Sequence, residues 1–163
     1  MIRPATLSDA ELIASLTRQA WANRAPISSS GHTETAERVR EDLELGGGLV
    51  LEVEGVAVGS VRWFPDLVAD AWEVMRLGIR PEFRGGGWGR ALMDEVARLA
   101  RAAAIPELRI FVEDGQAPLV AWYERQGFFV DETPEYARNG TETPPVMLRK
   151  LLQANRSEHH HRV

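Results

Sequence analysis

Three observations predict an α/β domain with a mixed sheet. Helix-period and strand-period segments succeed one another in the order β-α-α-β-β-β-α-β-α-β-β. Two β-branched runs, Leu49 to Glu54 and Val56 to Phe64, meet at Glu54-Gly55, the pattern of a hairpin. A glycine-rich stretch, Arg84-Gly85-Gly86-Gly87-Trp88-Gly89-Arg90, then links a strand-like run to a helix-like one. The 163 residues suit one domain with its own core, placed at residues 1–151, before a polar, disordered tail at 152–163.

Ile2 to Pro4 reads as a short edge strand, where proline is tolerated. Ser8-Asp9-Ala10-Glu11 has the form of a capping box, and Leu12, Ile13, Leu16 and Ala20 share one face of a helix from about Asp9 to Asn23. Ala25 to His32 is a loop. A second helix, about Thr35 to Leu45, turns Ala36, Val39 and Leu43 inward and stops at Gly46-Gly47-Gly48. After the hairpin, Pro65-Asp66 turns the chain and Ala71 to Ile79 is a strand. The helix from about Arg90 to Ala103 has Leu92, Val96, Leu99 and Ala103 at helical spacing, with Asp94, Arg98 and Arg101 largely opposite. Leu108 to Val112 alternates as a strand. Pro118 suits the first turn of a helix reaching Gln126, and Gly127 ends it. Phe128 to Val130 and Val146 to Leu151 are the last strands.

Composition narrows the function. A net charge of −5 gives no general attraction to nucleic acid or anionic membrane. With no cysteine, disulfides, thiol catalysis and thiolate metal sites are excluded, and a cytoplasmic setting is expected. His159-His160-His161 reads as solvated tail or cloning remnant, so no metal is expected.

The glycine stretch carries the clearest chemistry. Glycine lets backbone approach a ligand closely, and the helix start behind it offers unpaired N–H groups and a positive dipole end. An anion site, phosphate or pyrophosphate, follows. A Walker loop needs Gly-Lys-Ser/Thr, but Gly89 is followed by Arg90-Ala91. A dinucleotide fingerprint needs a third glycine where Arg90 stands.

The pattern that fits is Arg/Gln-x-x-Gly-x-Gly/Ala, met by Arg84, Gly87 and Gly89 after Leu77-Gly78-Ile79-Arg80-Pro81-Glu82-Phe83. Downstream, Ala121-Trp122-Tyr123-Glu124-Arg125-Gln126-Gly127-Phe128 matches a Tyr-Glu-Lys/Arg helix ending in Gly-Phe. In these two motifs and in element order from Ile2 to Leu151, the chain resembles the GNAT superfamily of acyl-CoA-dependent N-acyltransferases. The resemblance implies a mostly antiparallel sheet flanked by helices. It implies direct transfer of an acetyl group from acetyl-CoA to a primary amine of a small molecule or peptide. It also implies that backbone N–H groups of Arg84, Gly85, Gly86, Gly87, Trp88, Gly89 and Arg90 hold the CoA pyrophosphate. Main-chain groups around Leu77, Gly78 and Ile79 would hold the pantetheine arm. Gln116 stands where relatives carry an asparagine touching that arm, a departure that keeps the amide on a longer stem.

By the same resemblance Tyr123 is the general acid for the CoA sulfur, since a phenol of pKa about 10 is protonated at neutral pH; a tyrosine packed in the core has the same signature. Glu73 occupies the place of a glutamate base, and a glutamate on the solvated face of a strand fits it equally. Acceptor recognition in this fold draws on the first two helices, their loop, and the loop before the last strand. These contribute Trp21, Asn23, Arg24 and His32, then Asp131, Glu132, Glu135, Tyr136 and Arg138, with Trp63 and Trp72 as walls. Trp21, Trp63 and Tyr136 are the foremost substrate candidates. A homodimer is the expected assembly. The alternative reading is a CoA-binding sensor or interaction domain that has lost catalysis.

Overall fold

The computed structural model describes residues 1–22, 30–113, 115–132 and 145–153. Its architecture is α/β with mostly antiparallel strands, and the predicted order of elements holds. The chain divides into two compact units, Met1–Pro65 with Val74–Val96, and Asp66–Glu73 with Ala97–Val163.

In the first unit, β1 (Ile2–Pro4), β2 (Gly47–Val53), β3 (Val56–Pro65) and β4 (Trp72–Ile79, from Val74 onward) hydrogen-bond in that order. β1 and β3 both run antiparallel to β2. The hairpin turn has φ of 51° at Glu54 and 80° at Gly55, the positive pair that a two-residue turn matched to strand twist requires. α1 (Ala10–Trp21) and α2 (Ala36–Leu45) pack with these strands through Ala10, Ile13, Ala14, Val39 and Val50, which form one buried cluster. α3 (Trp88–Ala102) follows the glycine stretch. In the second unit, β7 (Val146–Leu151) lies between β5 (Glu107–Val112) and β6 (Phe129–Asp131), antiparallel to both, and α4 (Ala117–Arg125) joins β5 to β6 in the sequence.

Local expectations are corrected in four places. The cap of the first helical segment is Thr6 with Asp9, the Thr6 N–H donating to Asp9 Oδ2 at 2.8 Å, because a 3-10 turn over Leu7–Asp9 precedes α1. Leu12 is exposed at the edge of the buried face, which Ile13, Ala14, Leu16, Thr17 and Ala20 form. Gly47 and Gly48 are strand residues, paired with Trp63 and Arg62. A Cβ at Gly47 would lie 2.6 Å from Trp63 Cζ2, so tertiary packing sets their strand conformation. In α3 the buried residues are Leu92, Met93, Val96, Ala97 and Ala100, while Ala103 is exposed beyond the helix.

Candidate active site

The glycine stretch begins at the end of β4. Arg80 N–H donates to the Val58 carbonyl at 2.8 Å, keeping the strand in register to its last residue. A 3-10 turn over Pro81–Phe83 then brings the chain to Arg84. Gly85 and Gly87 have φ of 87° and 79°, a left-handed region that costs other residues about 1–2 kcal/mol. A Cβ at either glycine would meet nothing within 4 Å, and Gly85, Gly86 and Gly87 are exposed. The Gly87 carbonyl accepts from Ala91 N–H at 3.1 Å, which makes Gly87 the cap of α3. The N–H groups of Trp88, Gly89 and Arg90 therefore begin the helix without intrahelical acceptors, at its positive end. Trp88 and Gly89, expected in the loop, join Arg90, expected at the helix start, in the first turn of α3.

The Arg84 side chain is engaged with protein. Its Nε donates to the Ile79 carbonyl at 3.1 Å and its Nη2 to the Ala20 carbonyl at 2.6 Å. Trp21, the last residue of α1, lies against Gly78: a Cβ there would stand 2.7 Å from Ala20 Cβ and 2.9 Å from Trp21 Cζ3. The Arg76 guanidinium sits 5.7 Å from the centre of the Trp21 ring. Arg76 has φ of 55° inside a strand, an uncommon conformation for a non-glycine residue.

Behind Arg76 lies a charge cluster that sequence reading missed. Arg62, fully buried, donates to Glu34 Oε2 and Asp42 Oδ2 at 2.8 Å each, and Arg76 Nε reaches the same Glu34 oxygen at 3.3 Å. Burial pushes the Asp42 carboxyl up against the opposing pull of Arg62. The available signal was a lone charge between Val61 and Trp63 in an otherwise uncharged strand. Arg62 closes a core with these two carboxylates.

The second unit carries the remaining candidates. Tyr123 on α4 is 4% exposed, edge-on to Trp122 at 5.0 Å and to Phe128 at 5.5 Å. Burial pushes its phenol up from the ordinary tyrosine value, so the hydroxyl keeps its proton throughout the physiological range. Gln116 is the cap of α4, its carbonyl accepting from Leu119 and Val120 N–H at 3.0 Å each. Glu73 is half-buried near the start of β4. Thus the structure groups Trp21, Leu77, Gly78, Ile79 and the glycine stretch in one unit, and Glu73, Gln116 and Tyr123 in the other. Trp63 is buried against Gly47 within the first unit, and Trp72 is half-buried. Asn23, Arg24, Glu135, Tyr136, Arg138 and the histidine tail lie outside the described residues. Among the described residues, no group of three or more His, Cys, Asp or Glu is arranged to hold a metal, and no helix is long and apolar enough to cross a membrane.

A model of the acetyltransferase (GNAT) family matches residues 14–128. The chain belongs to that family. It is 39% identical over 69 residues, 42% of its length and 22% of the relative's, to a mycothiol acetyltransferase of Streptomyces bingchenggensis. The match spans only part of its curated relatives: 22% of that one and 59% of an acetyltransferase of Yersinia enterocolitica. A ribosomal-protein-alanine N-acetyltransferase from Brucella melitensis superimposes with a TM-score of 0.74 at 26% identity, covering 93% of this chain and 99% of the other. The PaiA N-acetyltransferase from Thermoplasma acidophilum, solved in complex with coenzyme A, has the same fold, with a TM-score of 0.74 at 19% identity and coverage of 93% and 98%.

Proposed function

We propose that this chain is an N-acetyltransferase that moves an acetyl group from acetyl-CoA directly to a primary amine of a small molecule or peptide, as one domain over residues 1–151. The observation that carries the reading is the exposed cradle at Gly85–Gly87: two left-handed glycines with open space above them, followed by the free N–H groups of the first turn of α3. Such a start binds a pyrophosphate with fixed backbone donors and needs no metal. Membership of the GNAT family and the coenzyme A held by a structural neighbour support the CoA pyrophosphate as that anion. Main-chain groups of Leu77 and Ile79 hold the pantetheine arm, with Gln116 as a further amide contact.

In the transfer the amine nitrogen attacks the acetyl carbonyl, the carbon–sulfur bond breaks, and the sulfur takes a proton. Tyr123 is the donor of that proton, and its buried, neutral phenol supports the role. Glu73, directly or through water, removes the proton from the amine. The absence of cysteine supports transfer without a cysteinyl acyl-enzyme and fits a cytoplasmic setting. Trp21, Trp63 and Tyr136 belong to the acceptor side.

Calorimetry with acetyl-CoA tests the donor site, and absence of binding at millimolar concentration would sink the proposal. A panel of amines assayed for thiol release then tests catalysis. Tyr123→Phe should lower turnover by about 10²-fold or more while leaving CoA affinity nearly unchanged. Equal turnover in the variant would remove Tyr123 from the acid role.

A further inference from the structure

The motif arginine at the head of the glycine stretch uses its side chain away from the phosphate loop. Arg84 Nη2 donates to the carbonyl of Ala20, in the last turn of α1, at 2.6 Å. That carbonyl is among the last of the helix, where intrahelical donors run out and the dipole is negative, so a guanidinium there satisfies an orphan acceptor and a partial charge together. Through Nε the same group holds the carbonyl of Ile79, the final residue of β4, at 3.1 Å. The planar fork of arginine suits two acceptors at once, which a lysine ammonium matches less well. One residue away on each side, Trp21 lies against Gly78, a second point of close contact between the same two segments. The end of α1 is thus pinned to the strand and loop that receive the donor.

We infer that Arg84 is a positioning residue that ties the phosphate loop to the C-terminal turn of α1, so that CoA binding at the loop also stiffens the helix end carrying Trp21. The inference rests on the donor-site reading above. Its physical basis is short: the backbone of Arg84 opens the cradle while its side chain grips α1, so an anion that orders the first also orders the second. Coupling of this kind is reciprocal, and a group bound beside Trp21 would in turn tighten CoA.

Hydrogen exchange with and without saturating CoA reads the coupling without any acceptor. In the native chain, CoA should slow exchange in the peptide covering residues 84–92 and, about fivefold or more, in the peptide covering residues 16–22. In Arg84→Ala the slowing at 84–92 should persist while that at 16–22 is lost. Arg84→Lys, which keeps the charge and one bond, should retain part of it, and it serves if the alanine variant fails to fold. CoA-induced protection at 84–92 with none at 16–22 in the native chain, or protection at 16–22 unchanged in both variants, overturns the inference while leaving the donor site standing. If CoA protects neither peptide, the donor-site reading falls and this inference with it.

Discussion

Two sets of glycines in the first unit serve opposite purposes. Gly47, Gly59 and Gly78 sit in strands where a Cβ would collide with Trp63, Ile79 and Trp21 respectively, at 2.6–2.9 Å from the nearest ring or methyl atoms. Gly85 and Gly87 sit beyond β4, where a Cβ would touch nothing. In the strands, the missing side chain is replaced by a large neighbour, and the glycine belongs to packing. In the loop the space over the glycines stays open. Positive φ and open space do not suffice for a site, because Gly55 in the hairpin turn has both, at φ 80°. What separates Gly87 from Gly55 is the 15-residue helix it caps.

Substitution can break or sharpen this contrast. The largest effect is expected at Gly87→Asp, which sets a negative charge against the pyrophosphate. CoA affinity should fall by roughly a hundredfold, about 2–3 kcal/mol, by calorimetry, beside a stability loss of about 1–2 kcal/mol from the positive φ. Intact affinity would mean that the phosphate binds elsewhere. Gly78→Ala tests the packed set: its Cβ would crowd Ala20 and Trp21, and overpacking should cost about 1–3 kcal/mol in urea unfolding. A neutral result would show that the end of α1 yields easily, which would also weaken the argument for the Arg84 tie.

Smaller effects separate conformation from function. Gly55→Ala and Gly85→Ala should each lose about 1 kcal/mol of stability through strain at positive φ. Only the second should also weaken CoA binding, and equal CoA affinity in both would erase the distinction drawn here. The pH range for all these comparisons is bounded by Asp9, which the Arg3 guanidinium holds down to a pKa of about 2. A lowered carboxyl stabilises the fold above its unfolded value, near 4, and that contribution fades as pH falls toward 2. Asp9→Asn should therefore flatten the loss of stability between pH 4 and pH 2, measured by the urea midpoint. An unchanged slope would assign the acid limb to other carboxylates.

Much of this was open to direct reading. Alternation in Leu108, Ile110 and Val112, the Glu54-Gly55 turn and the Arg84–Arg90 stretch are local signals, because each depends on spacing of two or 3.6 residues or on backbone freedom at one position. Ile13, Leu16 and Ala20 are buried as their spacing predicts, whereas Leu12 is exposed at the edge of that face and the cap is Thr6 with Asp9, because a 3-10 turn precedes α1. Of Gly46-Gly47-Gly48, read as a helix stop, Gly46 does cap α2, its N–H donating to the Asp42 carbonyl at 2.9 Å, while Gly47 and Gly48 begin β2, since pairing with Trp63 and Arg62 outweighs glycine's local preference.

What the amino-acid sequence determined alone is the order of elements, the hairpin, the glycine loop at a helix start, and the two motifs that resemble GNAT enzymes. These follow from residues close together in the chain. Only the tertiary structure decided that Arg84 grips α1, that Trp21 fills the space over Gly78, and that Arg62 is buried between Glu34 and Asp42. Those contacts join residues 20 to 64 positions apart, and no local propensity encodes them. They exist because a folded chain must satisfy each buried donor and fill each void with whatever the topology brings alongside.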